Sequence, residues 1–103
     1  MQVTALLIDQ MPSGYAFLID QLRRSTSSVA RNLAEGYYQR SGAQQRKHFD
    51  IASHSARETS ISFDTARCFR VGDNERIIRG KEICLELIKM LSKFRYREPR
   101  HLC

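Results

Sequence analysis

The 103-residue sequence contains no apolar run approaching the roughly 20 residues that span a bilayer. Near its start Leu6-Leu7-Ile8 is too brief for a signal peptide, and Met1-Gln2-Val3-Thr4 supplies no basic n-region. These absences predict a soluble, cytoplasmic protein with no membrane partner. Cysteine is sparse and poorly spaced for chemistry. Cys68, Cys84 and Cys103 form neither an even disulfide set nor a CxxC pair, and no histidine stands at zinc-ligand spacing from any of them. They read as free thiols, buried or terminal, with Cys103 on an exposed tail. His48 and His54 fall on different sides of a helix, which argues against a shared metal ion. Ser53, Ser55, Ser60 and Ser62 surround His54, yet no GxSxG elbow or other nucleophile setting accompanies them. Serine there reads as a residue for close packing. No enzyme activity, cofactor or metal is expected.

Also missing are internal repeats, low-complexity stretches and any sustained alternation of period two, so no strand is predicted. What remains is helical periodicity. With 42% hydrophobic residues the chain has material for one small core and one domain.

Acidic residues are fewer than basic ones, 11 against 17, for a formal net charge of +6 and a pI near 9.7. The imbalance is uneven along the chain. Residues 1–22 hold Asp9 and Asp20 but no lysine or arginine, so every basic residue lies from Arg23 onward. Lysine is limited to Lys47, Lys81, Lys89 and Lys93; arginine supplies the rest, and its planar guanidinium suits bidentate phosphate contacts. Such an asymmetry fits a protein that meets phosphate, against the plainer reading of a solvated helical face.

Pro12, Ser13 and Gly14 break a short apolar helix at about 3–11 from a long one at about 15–40. In the latter, Leu18, Leu22, Val29, Leu33 and Tyr37 recur near a helical period, with Ser25, Thr26 and Ala30 on the same side. Gly36 inside it costs about 1 kcal/mol relative to alanine, which close helix approach or a local bend would explain. Ser41-Gly42 ends the segment. A second long helix at about 43–70 carries Phe49, Ala52, Ala56, Thr59, Phe63 and Ala66 at alternating steps of three and four, a coiled-coil-like seam whose alanines admit a close partner. Gly72-Asp73-Asn74 is a turn in which Asp73 or Asn74 can cap the next helix.

The last long helix, at about 74–95, has so wide an apolar arc that more than one partner is needed to cover it, and Ile83, Leu87, Leu91 and Phe94 are predicted at an interface between copies of the chain. Residues 96–103 form a basic tail, with Pro99 expected to stop the helix and the tail to fray. The architecture implied is all-α: an up-down antiparallel four-helix bundle with a shortened first helix.

The packing positions coincide with a resemblance. Gln21-Leu22-Arg23-Arg24, the NxAEG pattern of Asn32, Ala34, Glu35 and Gly36, and Ile51-Ala52, Ser55 and Glu58 are similar to motifs of the small four-helix-bundle family that includes proteins encoded in intervening sequences of bacterial 23S ribosomal RNA genes. The resemblance covers about Met11 to Phe94. It implies bundles that assemble as homo-oligomeric rings, commonly pentamers; relatives serve as accessory variability determinants to the reverse transcriptase of diversity-generating retroelements. It implies no catalytic chemistry and no known activity. Ala30 stands where the family often has proline, which predicts a straighter second helix, and His54 where it often has glycine, which predicts a wider helix contact. The family's long first helix is reduced here to about Val3 to Met11, so an apolar flank would be left for another subunit.

These readings assign Asn32, Ala34, Glu35, Gly36, Ala52, Ala56, Glu58 and Phe63 to helix packing, with Asn32 and Glu35 able to bond across an interface. Arg23, Arg24, Arg31, Arg40, Arg46 and Lys47 are the candidate RNA-binding residues, provided that Glu35 or Glu58 does not pair with the arginines. Tyr37, Tyr38 and Tyr96 can stack on bases or simply pack at helix rims. The expected protein is thus a non-enzymatic oligomer that binds RNA or a ribonucleoprotein partner; the competing expectation is a ring-forming scaffold with no nucleic-acid role.

Overall fold

A short helix that reaches only part way along three long ones sets the shape of the molecule. In the computed structural model, which describes the backbone of residues 2–10 and 13–102 and the side chains of 2–8 and 14–93, the elements are α1 (Gln2–Gln10), a 3₁₀ turn (Ser13–Tyr15), α2 (Ala16–Tyr38), α3 (Gly42–Cys68) and α4 (Asn74–Leu102). All regular elements among the described residues are helical, and the molecule is a rod of 52 × 19 × 18 Å. No helix among the described residues is long and apolar enough to cross a membrane.

The helix ends follow from side chains at the turns. Ser41 is the N-cap of α3 and its Oγ accepts from the Gln44 N–H at 3.4 Å, satisfying a donor that the first turn cannot pair. Before α4 the chain turns through Arg70 and Gly72, both at positive φ (56° and 84°). Asp73 Oδ1 then accepts from the Glu75 N–H at 3.4 Å. The basic segment departs from expectation: α4 continues through Pro99 to Leu102. Proline forgoes one backbone bond there, but its fixed φ near −65° is itself a helical value.

α3 lies between α2 and α4, while α1 bridges those two at one end of the rod. The central position belongs to α3, although α4 carries the wider apolar arc. Small side chains make this possible: Ala52, Ala56, Thr59 and Ala66 are buried together with Ser53, Ser55 and Ser62, so helices approach α3 from two sides. Its two bulky knobs, Phe49 and Phe63, point at glycines. A Cβ on Gly36 of α2 would lie 2.6 Å from Phe49 Cε1, and one on Gly80 of α4 would lie 2.6 Å from Phe63 Cε2 and Cζ. Gly36 is therefore a notch for a ring, the close-approach alternative.

The apolar core is in two parts. Leu7 of α1, Leu18 and Leu22 of α2, Phe63 and Ala66 of α3, and Ile77 and Cys84 of α4 form the larger, at the end that α1 covers. Burial pushes the Cys84 thiol up to about 11, so it stays protonated and inert near neutrality. Phe49, Ala52 and Leu91 form the smaller cluster, with Leu33 and Leu87 packed on it but only half-buried. α1 is short, about 13 Å at 1.5 Å per residue, and Thr4 meets Thr26 Oγ1 to Oγ1 at 3.3 Å. It ends well before the smaller cluster.

Between α2 and α3 the seam is polar as well as apolar. Thr59 Oγ1 donates to Ser25 Oγ at 2.8 Å, the Ser28 and Ser55 hydroxyls pair at 2.6 Å, and His48 Nδ1 meets Asn32 Oδ1 at 3.1 Å. These pairs run in opposite directions along the two helices and hold their antiparallel register. They also consume the hydrogen-bonding capacity that burial would otherwise leave unpaid.

Candidate nucleic-acid interface

Because α2 presents only one side to α3, its other side is free, and the sequence loads that side with arginine. Arg23, Arg24, Ser27 and Arg31 line an open groove of about 400 Å³ on the outer face of α2. At 100° per residue, steps of four from Arg23 to Ser27 to Arg31 keep all three on one side over about 12 Å. All of them are exposed. The expected competition from Glu35 and Glu58 does not arise. Arg24 instead reaches Asp20 one turn earlier, at 3.6 Å, with both side chains mostly in water; such a pair contributes little and exchanges readily with a phosphate. Among the described residues Arg23 and Arg31 have no acidic partner.

The other three candidate cations stand apart from this groove. Arg40 is exposed in the turn after α2, Lys47 is exposed on α3, and Arg46 is half-buried on α3. The structure thus divides the predicted set into a groove on α2 and a looser basic group at the α2–α3 turn. Tyr37 and Tyr38 lie between them, 74% and 80% exposed, their rings edge to face with centroids 5.1 Å apart. Neither is covered by a neighbouring helix, so packing at the rim does not account for them. Tyr96 lies outside the residues whose side chains are described.

Helix packing shows a division within the NxAEG segment. Asn32 and Gly36 are buried against α3, whereas Ala34 and Glu35 are exposed, since they fall outside the arc that faces α3. Asn32 bonds across the α2–α3 interface with His48 and, through Nδ2, within α2 to the Ser28 carbonyl at 2.9 Å, whereas the exposed Glu35 takes no part in that interface. Ala52, Ala56 and Phe63 are buried, and Glu58 is half-buried with His54 Nε2 at 3.6 Å. His54 is itself exposed, so it does not widen the contact between helices.

On α4 the predicted interface residues also separate. Leu91 is 2% exposed and belongs to the core, Ile83 and Leu87 are half-buried, and the Phe94 side chain lies outside the described residues. Among the described residues, the large apolar side chains that α4 leaves in water are Ile78, Leu85 and Met90. Two features escaped the sequence reading. One is the Ser/Thr/Asn/His ladder, whose signal was small polar residues at seam positions on both helices. The other is an aromatic group of the half-buried Tyr15 with the exposed Phe17 and Phe69, centroids 6.0 to 6.5 Å apart, which joins the start of α2 to the end of α3 and left no local pattern.

The family model described as 23S rRNA-intervening sequence protein matches residues 2–93 of the chain. Neither a curated protein nor a solved structure gives a significant match.

Proposed function

The chain belongs to the 23S rRNA-intervening sequence protein family, and from that premise we propose that it is a non-enzymatic, self-associating helix-bundle protein that binds RNA, free or in a ribonucleoprotein, through phosphate contacts. The observation that carries this reading is the α2 groove, in which Arg23 and Arg31 have no acidic partner among the described residues while Arg24 holds only an exposed one. A guanidinium that is exposed and not committed to a carboxylate offers its fork to phosphate without first breaking a bond. The family name connects its members with 23S ribosomal RNA intervening sequences, a context that agrees with an RNA ligand.

Binding of this kind releases counterions, so the logarithm of the affinity falls linearly with the logarithm of salt concentration. For structured RNA, including the chain's own transcript, the expected result is a steep salt dependence. Replacing Arg23 and Arg31 with glutamine should weaken binding to all sequences alike and reduce the slope by about 1 for each lost phosphate contact. Titrations at several salt concentrations check this, and the absence of salt-sensitive binding by the unaltered protein refutes the reading.

Self-association rests on a separate observation. Ile78, Leu85 and Met90 present apolar area on one helix, Leu85 at 56% and Met90 at 50% exposure, and the smaller core cluster is left partly open where α1 ends. Changing Leu85 and Met90 to glutamate should lower the native mass of the assembly while leaving helical content intact, because neither side chain supports the core. Native mass spectrometry gives the subunit number directly; an unchanged mass in the variant removes this face from the interface.

A further inference from the structure

We propose that the outer face of α2 is a track for an unpaired RNA strand, on which Arg23 and Arg31 hold phosphates while Tyr37 and Tyr38 stack on bases. This deepens the RNA reading above and rests on it. The four residues occupy one exposed side of a single rigid helix, and the distance from Arg23 to Tyr38 is about 22 Å at 1.5 Å per residue, room for several nucleotides. Between Arg23 and Tyr38 the same side carries Ser27, Ala30 and Ala34, all small and all exposed, with the exposed Glu35 at its margin, so a strand can lie close to the helix on the side away from that carboxylate.

The tyrosines distinguish one form of RNA from another. They are 74% and 80% exposed, and among the described residues each has as its ring neighbour only the other, at an interplanar angle of 89°. An edge-to-face pair leaves ring faces open to solvent, and every base offers a complementary face once it is out of a duplex. In a paired A-form helix the bases are stacked on one another and closed to such contact; an unpaired loop or end can splay them onto aromatic rings. Arginines alone would bind either form. The combination with two uncovered rings on the same helix face favours the unpaired one, and the charge of the track selects a polyanion over a neutral protein surface.

The test uses the full chain and two probes of about 12 nucleotides, an unstructured single-stranded RNA and a perfectly paired RNA duplex. The unaltered protein should bind the single strand more tightly. Changing Tyr37 and Tyr38 together to alanine should weaken single-strand binding by about tenfold or more, with duplex binding and the salt slope unchanged, and the double change to phenylalanine should restore it. Circular dichroism and native mass are followed in the same variants. If both probes bind with salt sensitivity but the tyrosine variants match the unaltered protein, the track is wrong and the broader RNA reading survives. If neither probe binds, both fall. A variant that loses its native mass instead of its RNA affinity would identify the tyrosines as a contact between subunits, which also overturns the proposal.

Discussion

Replacing Phe63 with alanine should destabilise the protein by about 3–5 kcal/mol, the usual cost of emptying an aromatic site in a packed core. Phe63 is fully buried, lies in the larger of the two apolar clusters, and is the only aromatic ring among the fully buried side chains of the described residues. It links all four helices: it sits on α3, shares its cluster with Leu7 of α1 and Leu18 and Leu22 of α2, and lies against Gly80 on α4. With small side chains on either side of it, the site has few groups able to move in and refill the space. Domains of this size are stable by about 5–15 kcal/mol in total, so the loss consumes much of the margin and should lower the unfolding temperature by on the order of 15–30 °C. Thermal and urea unfolding of the purified variant measure both quantities. A change below about 1 kcal/mol would mean that α3 does not hold the centre of the bundle.

Much of that centre was legible in the sequence, and the reason is periodicity. The seam of Phe49, Ala52, Ala56, Thr59, Phe63 and Ala66 was read from steps of three and four, and all six are buried. Short polar turns likewise announced where helices begin: Ser41 and Asp73 act as caps through their own side chains, a local effect that needs no tertiary information. What periodicity does not supply is which of two amphipathic helices becomes the middle one. The serine- and alanine-rich α3, not the more hydrophobic α4, takes the central place, and α4 leaves Ile78, Leu85 and Met90 exposed on the single chain. Hydrophobicity measures the drive to be buried; side-chain size decides how closely two partners can approach, and here size prevailed.

The candidate site was legible in its parts and not in its grouping. Arginine composition pointed to phosphate, yet six basic residues chosen from one basic stretch resolve into a three-arginine groove on α2 and a separate group near the turn, because residues on facing helices diverge in direction even where they are close in sequence. The partners of polar residues were the least visible. Asn32 and Glu35 were both expected to bond across a helix interface; Asn32 does so, with His48, while Glu35 is exposed, and the identity of the partner was not visible because antiparallel pairing joins residues by register, which depends on the whole length of the seam.

That register turns on two notches, and a double-mutant cycle shows how tightly they fit. Gly80→Ala alone sets two effects against each other. The methyl group favours the helix by about 1 kcal/mol, while its position 2.6 Å from Phe63 Cε2 and Cζ forces overpacking at a cost of about 1–3 kcal/mol. Phe63 is fully enclosed and cannot swing aside, so the overpacking falls toward the upper part of its range and the net change should be destabilising, by up to about 2 kcal/mol. In a Phe63→Ala background the obstruction is gone, and the same substitution should stabilise the protein by up to about 1 kcal/mol. The sign of its effect therefore inverts with the residue across the interface, a coupling expected only of side chains in direct contact. Gly36→Ala makes a second comparison: its Cβ would meet Phe49 Cε1 at 2.6 Å, Phe49 Cδ1 at 2.8 Å and His48 Cβ at 3.3 Å, and Phe49 is itself buried, so a net destabilisation of up to about 2 kcal/mol is expected there too. Urea unfolding of the singles and doubles measures each corner of the cycle, and additive effects at Gly80 and Phe63 would show that α4 does not receive the ring.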